Sequence, residues 1–423
     1  MFSRKLRWYL AMALLSTANA VTACDSSVST VPDAGDSGAD TDTDAGADSG
    51  ADNACDGPLV FADSALEEAV RAAISKPTGD LYAEDVEELT VLYASGSDIS
   101  LLDGIQCLSA LNELWLSGNQ ISDLTPLSSL NSLSVLNLPA NQISDVGPLS
   151  TISSLSALYL GNNPLTDLEP LASLTSLKEL YLGFGPYADL TPLSSLTSLS
   201  VLYLTSAQVT EIAPLAPLTN LTVLLLSNNQ ITDLGPLAPL TNLTVLHLSN
   251  NQINDLGPLV SCTQLTELGL SYNPISDLTP LSSLTSLETL VLRGAEIVNL
   301  EALVSLGELH SLSLDCNLVS DLEPLAGIPS LADLNITNNQ IADLSPLSSL
   351  PSLHLLRMDD NDISDLAPLA VNDGLDSYDE VWVTGNPIDS VAQAENIDTL
   401  ESRNVCVVGD WNAATEDCVE ETD

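Results

Sequence analysis

From about residue 89 the apolar side chains of this chain recur in one frame, L-x-x-L-x-L-x-x-N-x-I-x-D-L-x-P-L. Leu111, Leu114, Leu116, Asn119, Ile121, Asp123, Leu124, Pro126 and Leu127 show it in full. The frame returns every 22 residues without insertion, at Asn119, Asn141, Asn163, Gly185, Ala207, Asn229, Asn251, Asn273, Ala295, Asn317, Asn339 and Asn361. Alternation around Leu114 and Leu116 predicts a short strand over 113–117. Pro126 suits the first position of a short helical segment, where its missing N–H has no partner to lose. The asparagine amide can bond backbone groups of its own and the adjacent coil. Stacked coils then form an α/β solenoid: a right-handed superhelix with a parallel β-sheet on the concave face, short (3-10) helical segments on the convex face, and a cap at each end.

This frame is identified as the leucine-rich repeat in its 22-residue form. The tandem N-Q-I-S-D-L-T-P-L-S-S-L over 119–130, nearly repeated from Asn141, Asn229, Asn251 and Asn339, resembles the repeats of the bacterial internalin family. The lead-in, from Gly79 and Asp80 through Asp85, Leu89 and Leu92 to Gly104 and Ile105, is similar to the start of many proteins of that group. The resemblance spans roughly 61–389 and implies a binding scaffold. Internalins typically continue into an immunoglobulin-like module, which the residues after 389 do not resemble, so host-cell adhesion is not carried over.

The flanks divide into an export signal with a lipobox (1–23), an Asp/Ala/Gly tether (24–56), a helical N-terminal cap (57–88), the solenoid (89–389) and a cysteine-containing C-terminal cap (390–423). Arg4, Lys5 and Arg7 precede an apolar run too short to span a membrane. Ala18-Asn19-Ala20 suits ordinary signal peptidase. Val21-Thr22-Ala23-Cys24 resembles a lipobox, preferred here because a lipid on Cys24 explains the tether that follows. The expected location is therefore the bacterial envelope, by a lipid anchor, at the outer membrane or cell surface. Leu66, Ala69, Val70, Ala73 and Ile74 have helical spacing behind Asp63 or Ser64 as cap, and a second helix is expected over 83–89. Cys406 and Cys418 are expected to close a loop around Trp411, and Cys55 and Cys107 to close the other end. Cys262 takes a leucine position and is expected to be a buried thiol, too far from Cys316 to bridge.

Charge narrows the partners. With 58 acidic and 9 basic residues the net charge is −49, which repels phosphate backbones and argues against nucleic acid. Four places after each asparagine stands a carboxylate or amide, from Asp123 to Asp365. Spaced about 4.8 Å apart, these side chains could take calcium, but capping the helical segments accounts for them without a metal. No cofactor is expected. The middle outward strand positions run Tyr93, Trp115, Asn137, Tyr159, Tyr181, Tyr203, Leu225, His247 and, further on, Arg357 and Trp382. In a chain only 4% aromatic, that row of rings on a solvent-facing sheet predicts the partner-binding surface; mutual stacking is the alternative. His247, His310 and His354 fall in no catalytic motif, so no enzyme is expected. The reading is a monomeric protein-binding scaffold, with glycan binding by the same rings, or a calcium-dependent adhesive element, as rivals.

Overall fold

The computed structural model describes residues 55–411. Among these residues fifteen strands of three residues each, from β1 (Val91–Tyr93) to β15 (Cys406–Val408), form one open parallel sheet in chain order. They pair residue for residue: Tyr93 with Trp115, Trp115 with Asn137, and at the far end Trp382 with Val408. The strand residues predicted over 113–117 pair only across Glu113–Trp115, because the backbone then leaves the ladder for the turn. Most back segments are 3-10 helices of three to five residues with proline in the first turn, such as Thr125–Leu127 or Gly147–Thr151; Ile105–Cys107 and Glu301–Ser305 lack the proline, and Ala367–Ala370 is a single α-helical turn.

The central residue of every strand points into one continuous core, where Leu92, Leu114, Leu136 and Leu158 are fully buried. Burying each such leucine contributes about 1.5–3 kcal/mol, so every coil depends on the neighbours that cover it.

The turns obey two further rules. Every residue just before a ladder position, from Gly96 to Gly385, is left-handed, with φ between 53 and 67°. Each ladder asparagine bonds two coils: Asn251 Oδ1 accepts from Ile231 N at 3.0 Å, and its Nδ2 donates to Leu226 O and Leu248 O. Gly185, Ala207 and Ala295 break this ladder, and in each case the preceding coil has proline just after its ladder residue: Pro164, Pro186 and Pro274. In two of those coils the following N–H finds a backbone carbonyl instead: Tyr187 N donates to Gly185 O at 3.2 Å and to Ala207 O at 3.0 Å, and Ile275 N donates to Asn273 O of its own coil at 2.8 Å. That N–H then no longer needs the next coil's amide. Tyr187 fills the first gap, since a Cβ on Gly185 would lie 2.4 Å from its phenol oxygen. Its hydroxyl is buried and unbonded, and burial pushes its pKa up to about 12.

At the N-terminal end the helix Ser64–Ala73 is capped by Asp63, and the second helix is a single turn, Ala83–Val86, rather than the longer one expected. Asp63 Oδ1 accepts from Ala65 N, while Oδ2 accepts from Ser100 N at 2.8 Å and Leu101 N at 3.2 Å. Burial raises its pKa, but these backbone donors outweigh burial and hold the carboxyl below its ordinary value. Cys55 and Cys107 are joined by a disulfide, Cα atoms 5.5 Å apart. At the other end the sheet runs beyond residue 389, where the solenoid was expected to stop: a helix, Ala394–Glu401, buries Ile397 and Leu400 and delivers β15 to the sheet. Cys316 and Cys406 each take part in a disulfide, and Cys262 is a buried free thiol. Cys24 and Cys418 lie outside the described residues.

Candidate functional site

The sheet register places the predicted rings in one row, and their contacts are graded. Ring centroids are 6.0 Å apart for Tyr93 and Trp115, 4.5 Å for Tyr159 and Tyr181, and 5.9 Å for Tyr181 and Tyr203. Trp115 and Tyr159 meet at 6.3 Å although Asn137 stands between them in the register. Strands two apart are separated by roughly 9.6 Å, so these rings lean toward each other over the asparagine. Asn137 is accordingly buried.

Carboxylates from the neighbouring row fix the rings. Trp115 Nε1 donates to Glu113 Oε2 at 3.1 Å, and the Tyr159 hydroxyl donates to Glu179 Oε2 at 2.9 Å. Further along, His247 Nε2 lies 2.6 Å from Glu267 Oε1, and Trp382 Nε1 donates to Glu380 Oε2 at 2.9 Å. The expectation that all five N-terminal rings face solvent is corrected. Tyr93 is 69% exposed and Trp115 and Tyr203 are half-buried, whereas Tyr159 and Tyr181, each between two other rings, are only 9% and 8% exposed. Ring stacking along the strand normal, invisible to strand alternation, is part of that difference.

The C-terminal half of the same face is polar. Arg293 Nε lies 2.9 Å from Asp315 Oδ2, an ionic contact off the line of a hydrogen bond, and its guanidinium stands 5.6 Å from the Tyr272 ring. Arg357, beside Trp382 in the register, is exposed and forms no ion pair among the described residues.

On the back, the acidic column caps the 3-10 segments. Asp123 Oδ1 accepts from Thr125 N at 2.8 Å, Asp233 from Gly235 N at 2.7 Å, and Asp321 from Glu323 N at 2.9 Å. Asn299 does the same for Glu301 N at 2.7 Å, which shows that the geometry needs an oxygen and not a charge. Hydroxyls of Thr125, Thr191, Thr279 and Ser345, followed by the backbone N–H groups, hold Asp123, Asp189, Asp277 and Asp343 below the ordinary carboxylate range. Among the described residues no group of three His, Cys, Asp or Glu is placed to hold a metal, and no helix is long and apolar enough to cross a membrane.

One feature of the surface lay outside the predicted site. Phe184, in the turn of the Gly185 coil, is 58% exposed and left-handed at φ 66°. The signal was a large apolar residue where most coils have glycine or asparagine.

The sequence matches the family described as "Leucine Rich repeats (2 copies)" in overlapping windows from 87–129 to 153–195, from 219–261 to 263–305, and from 307–349 to 329–371. An internalin, InlF of Listeria monocytogenes, is 30% identical, with 84% of this chain and 96% of that one covered and a TM-score of 0.67. The leucine-rich-repeat protein LIC12759 of Leptospira interrogans is 22% identical over 77% of this chain and 97% of its own, with a TM-score of 0.62. The functional domain of InlJ from Listeria monocytogenes, 22% identical, covers 77% of this chain and 80% of its own at a TM-score of 0.58. No curated protein sequence matches the chain.

Proposed function

Since this chain belongs to the internalin-like leucine-rich-repeat proteins, we propose that it is a non-enzymatic scaffold that binds another protein across its sheet face. The observation that carries this is the aromatic row, with Trp115 and Tyr159 anchored by Glu113 and Glu179. Rings held before a partner arrives lose little freedom on binding, which is how a few aromatic residues come to dominate an interface. Tyr93, Trp115 and Tyr203 are the proposed contacts of the N-terminal half, with Tyr159 and Tyr181 supporting them; His247, Arg357 and Trp382 extend the surface along the row. The net charge of −49 favours a basic partner. The finer reading of place, export and a lipid anchor at Cys24 on the bacterial envelope, belongs to the same proposal.

The test is to immobilise the mature domain, screen envelope proteins and polysaccharides, and titrate any ligand against a Trp115→Ala, Tyr203→Ala double variant. Loss of a protein ligand with an unchanged melting temperature supports the reading. Loss of a polysaccharide instead would move the assignment to glycan binding. If every detected interaction survives, the row is structural. Melting with and without a chelator tests the calcium-dependent rival, and an unchanged temperature removes it. Mass spectrometry of the native N-terminus tests the anchor, and an unmodified Val21 start would refute it.

A further inference from the structure

The left-handed turn position tolerates few side chains, because a Cβ there crowds the following carbonyl. Most coils answer with glycine, asparagine or another small residue; Phe184, Tyr272 and Cys316 are the exceptions. Two of these have a visible use inside the molecule. The Tyr272 ring lies on Gly294, where a Cβ would come within 2.8 Å of it, with Arg293 beside it. Cys316 is disulfide-bonded. Phe184 has neither, and no ring or cation contact to it exists among the described residues.

The backbone beneath Phe184 is fixed nonetheless. Phe184 N donates to Thr205 O at 3.0 Å, Tyr187 N donates to both Gly185 O and Ala207 O, and Pro186 locks the residue between them. The position is also continuous with the aromatic row. The Tyr203 ring lies over Gly183, where a Cβ would meet its Cε1 at 2.4 Å, and Gly183 immediately precedes Phe184. A bulky apolar side chain is therefore carried on a fixed left-handed backbone at the edge of the sheet face, exposed and with no ring or cation partner among the described residues. The left-handed backbone is common to all the turns, but a bulky side chain in it is strained, and strained residues cluster where a molecule meets its ligands.

We propose that Phe184 is the apolar anchor of the partner interface, inserting into an apolar pocket with a basic rim on the partner protein, so that the partner reaches from the sheet face over the turn edge. This rests on the protein-binding reading above. The basic rim follows from the charge of the chain, and an aromatic side chain desolvated in a partner's pocket is a usual form of binding hot spot.

The test builds the photoreactive analogue p-benzoylphenylalanine into the full chain at Phe184 and, as control, at Val391, which is 85% exposed. Both proteins are irradiated in an envelope extract. A protein captured at 184 and not at 391 is purified and titrated against the wild type, Phe184→Asn, and the Trp115→Ala, Tyr203→Ala variant. We expect Phe184→Asn to weaken binding by at least about tenfold, with a melting temperature unchanged or raised, since asparagine suits the left-handed turn. Capture no better at 184 than at 391, undiminished binding by Phe184→Asn, or a lowered melting temperature in that variant would each overturn the proposal. If Phe184→Asn binds normally while the Trp115, Tyr203 variant does not, this inference fails and the sheet-face reading stands; if neither substitution matters, both fail.

Discussion

Replacing Asn251 with alanine tests whether neighbouring coils share one hydrogen-bond rule. The substitution removes the acceptor of the Ile231 N–H and two donors, to Leu226 O and Leu248 O. Both carbonyls keep another partner, from Asn229 Nδ2 at 2.8 Å and Asn273 Nδ2 at 3.0 Å. The buried Ile231 N–H is left alone, so the cost should be about 2–4 kcal/mol, most of it from that single orphaned donor. Gln230→Pro alone removes the Gln230 N–H bond to Val209 O, 2.8 Å long, at about 1–2 kcal/mol. With proline at 230, however, the Ile231 N–H can turn to Asn229 O as Ile275 N turns to Asn273 O. In that background Asn251→Ala strands nothing, and the double variant should be more stable than the sum of the singles by about 1–2 kcal/mol. Urea titrations of the four proteins measure this coupling. Because solenoids can unfold in parts, hydrogen exchange at the Ile231 amide is the second readout: fast in Asn251→Ala and protected again in the double variant. Strict additivity, within about 0.3 kcal/mol, together with an unprotected amide in the double variant, would refute the rule.

Three further outcomes follow from groups described above. Asp123, Asp189, Asp277 and Asp343 titrate below their ordinary value of 3.8, so their stabilisation is present above that pH and is lost as pH falls through the lowered values. Replacing all four with asparagine, as position 299 already does, should leave melting at pH 7 within a few degrees and flatten its decline between about pH 5 and pH 2; an equally steep acid decline would contradict the capping role. A hydrogen bond from His354 to the buried Asp379 raises the imidazole pKa above 6.5, so its contribution is complete below that pH and disappears as pH rises through the raised value. Its NMR titration midpoint should lie above 6.5 and fall in Asp379→Asn. Cys262 is buried with its thiol pKa pushed up, so a thiol reagent should label it only after unfolding, and rapid native labelling would count against its place in the core.

The period of 22 carried most of the fold, because in a solenoid one register fixes both strand pairing and core identity. The acidic column was legible for the same reason: capping is local, and Asp123 reaches an N–H only two residues away. The burial of Tyr159 and Tyr181 was not, since strand alternation assigns a face but says nothing of rings leaning across Asn137. The last strand was missed because the helix Ala394–Glu401 lengthens its coil beyond the frame. The broken ladder at Gly185 and Ala207 is visible in the sequence, but its compensation is not local to the coil that breaks it, because the proline sits one coil earlier.

That displacement bears on how such an array can grow. Repeats expand by duplication and unequal exchange, and coils with fully interchangeable frames could be copied in any order. Here an alanine coil is compatible with a predecessor that has proline after its ladder residue, while a Gln-type predecessor, such as the coil of Asn251, would be left with a stranded N–H. A crossover that separated Pro274 from Ala295 would join well-formed coils into a poorly bonded pair. The heritable module of this solenoid is thus longer than its visible repeat.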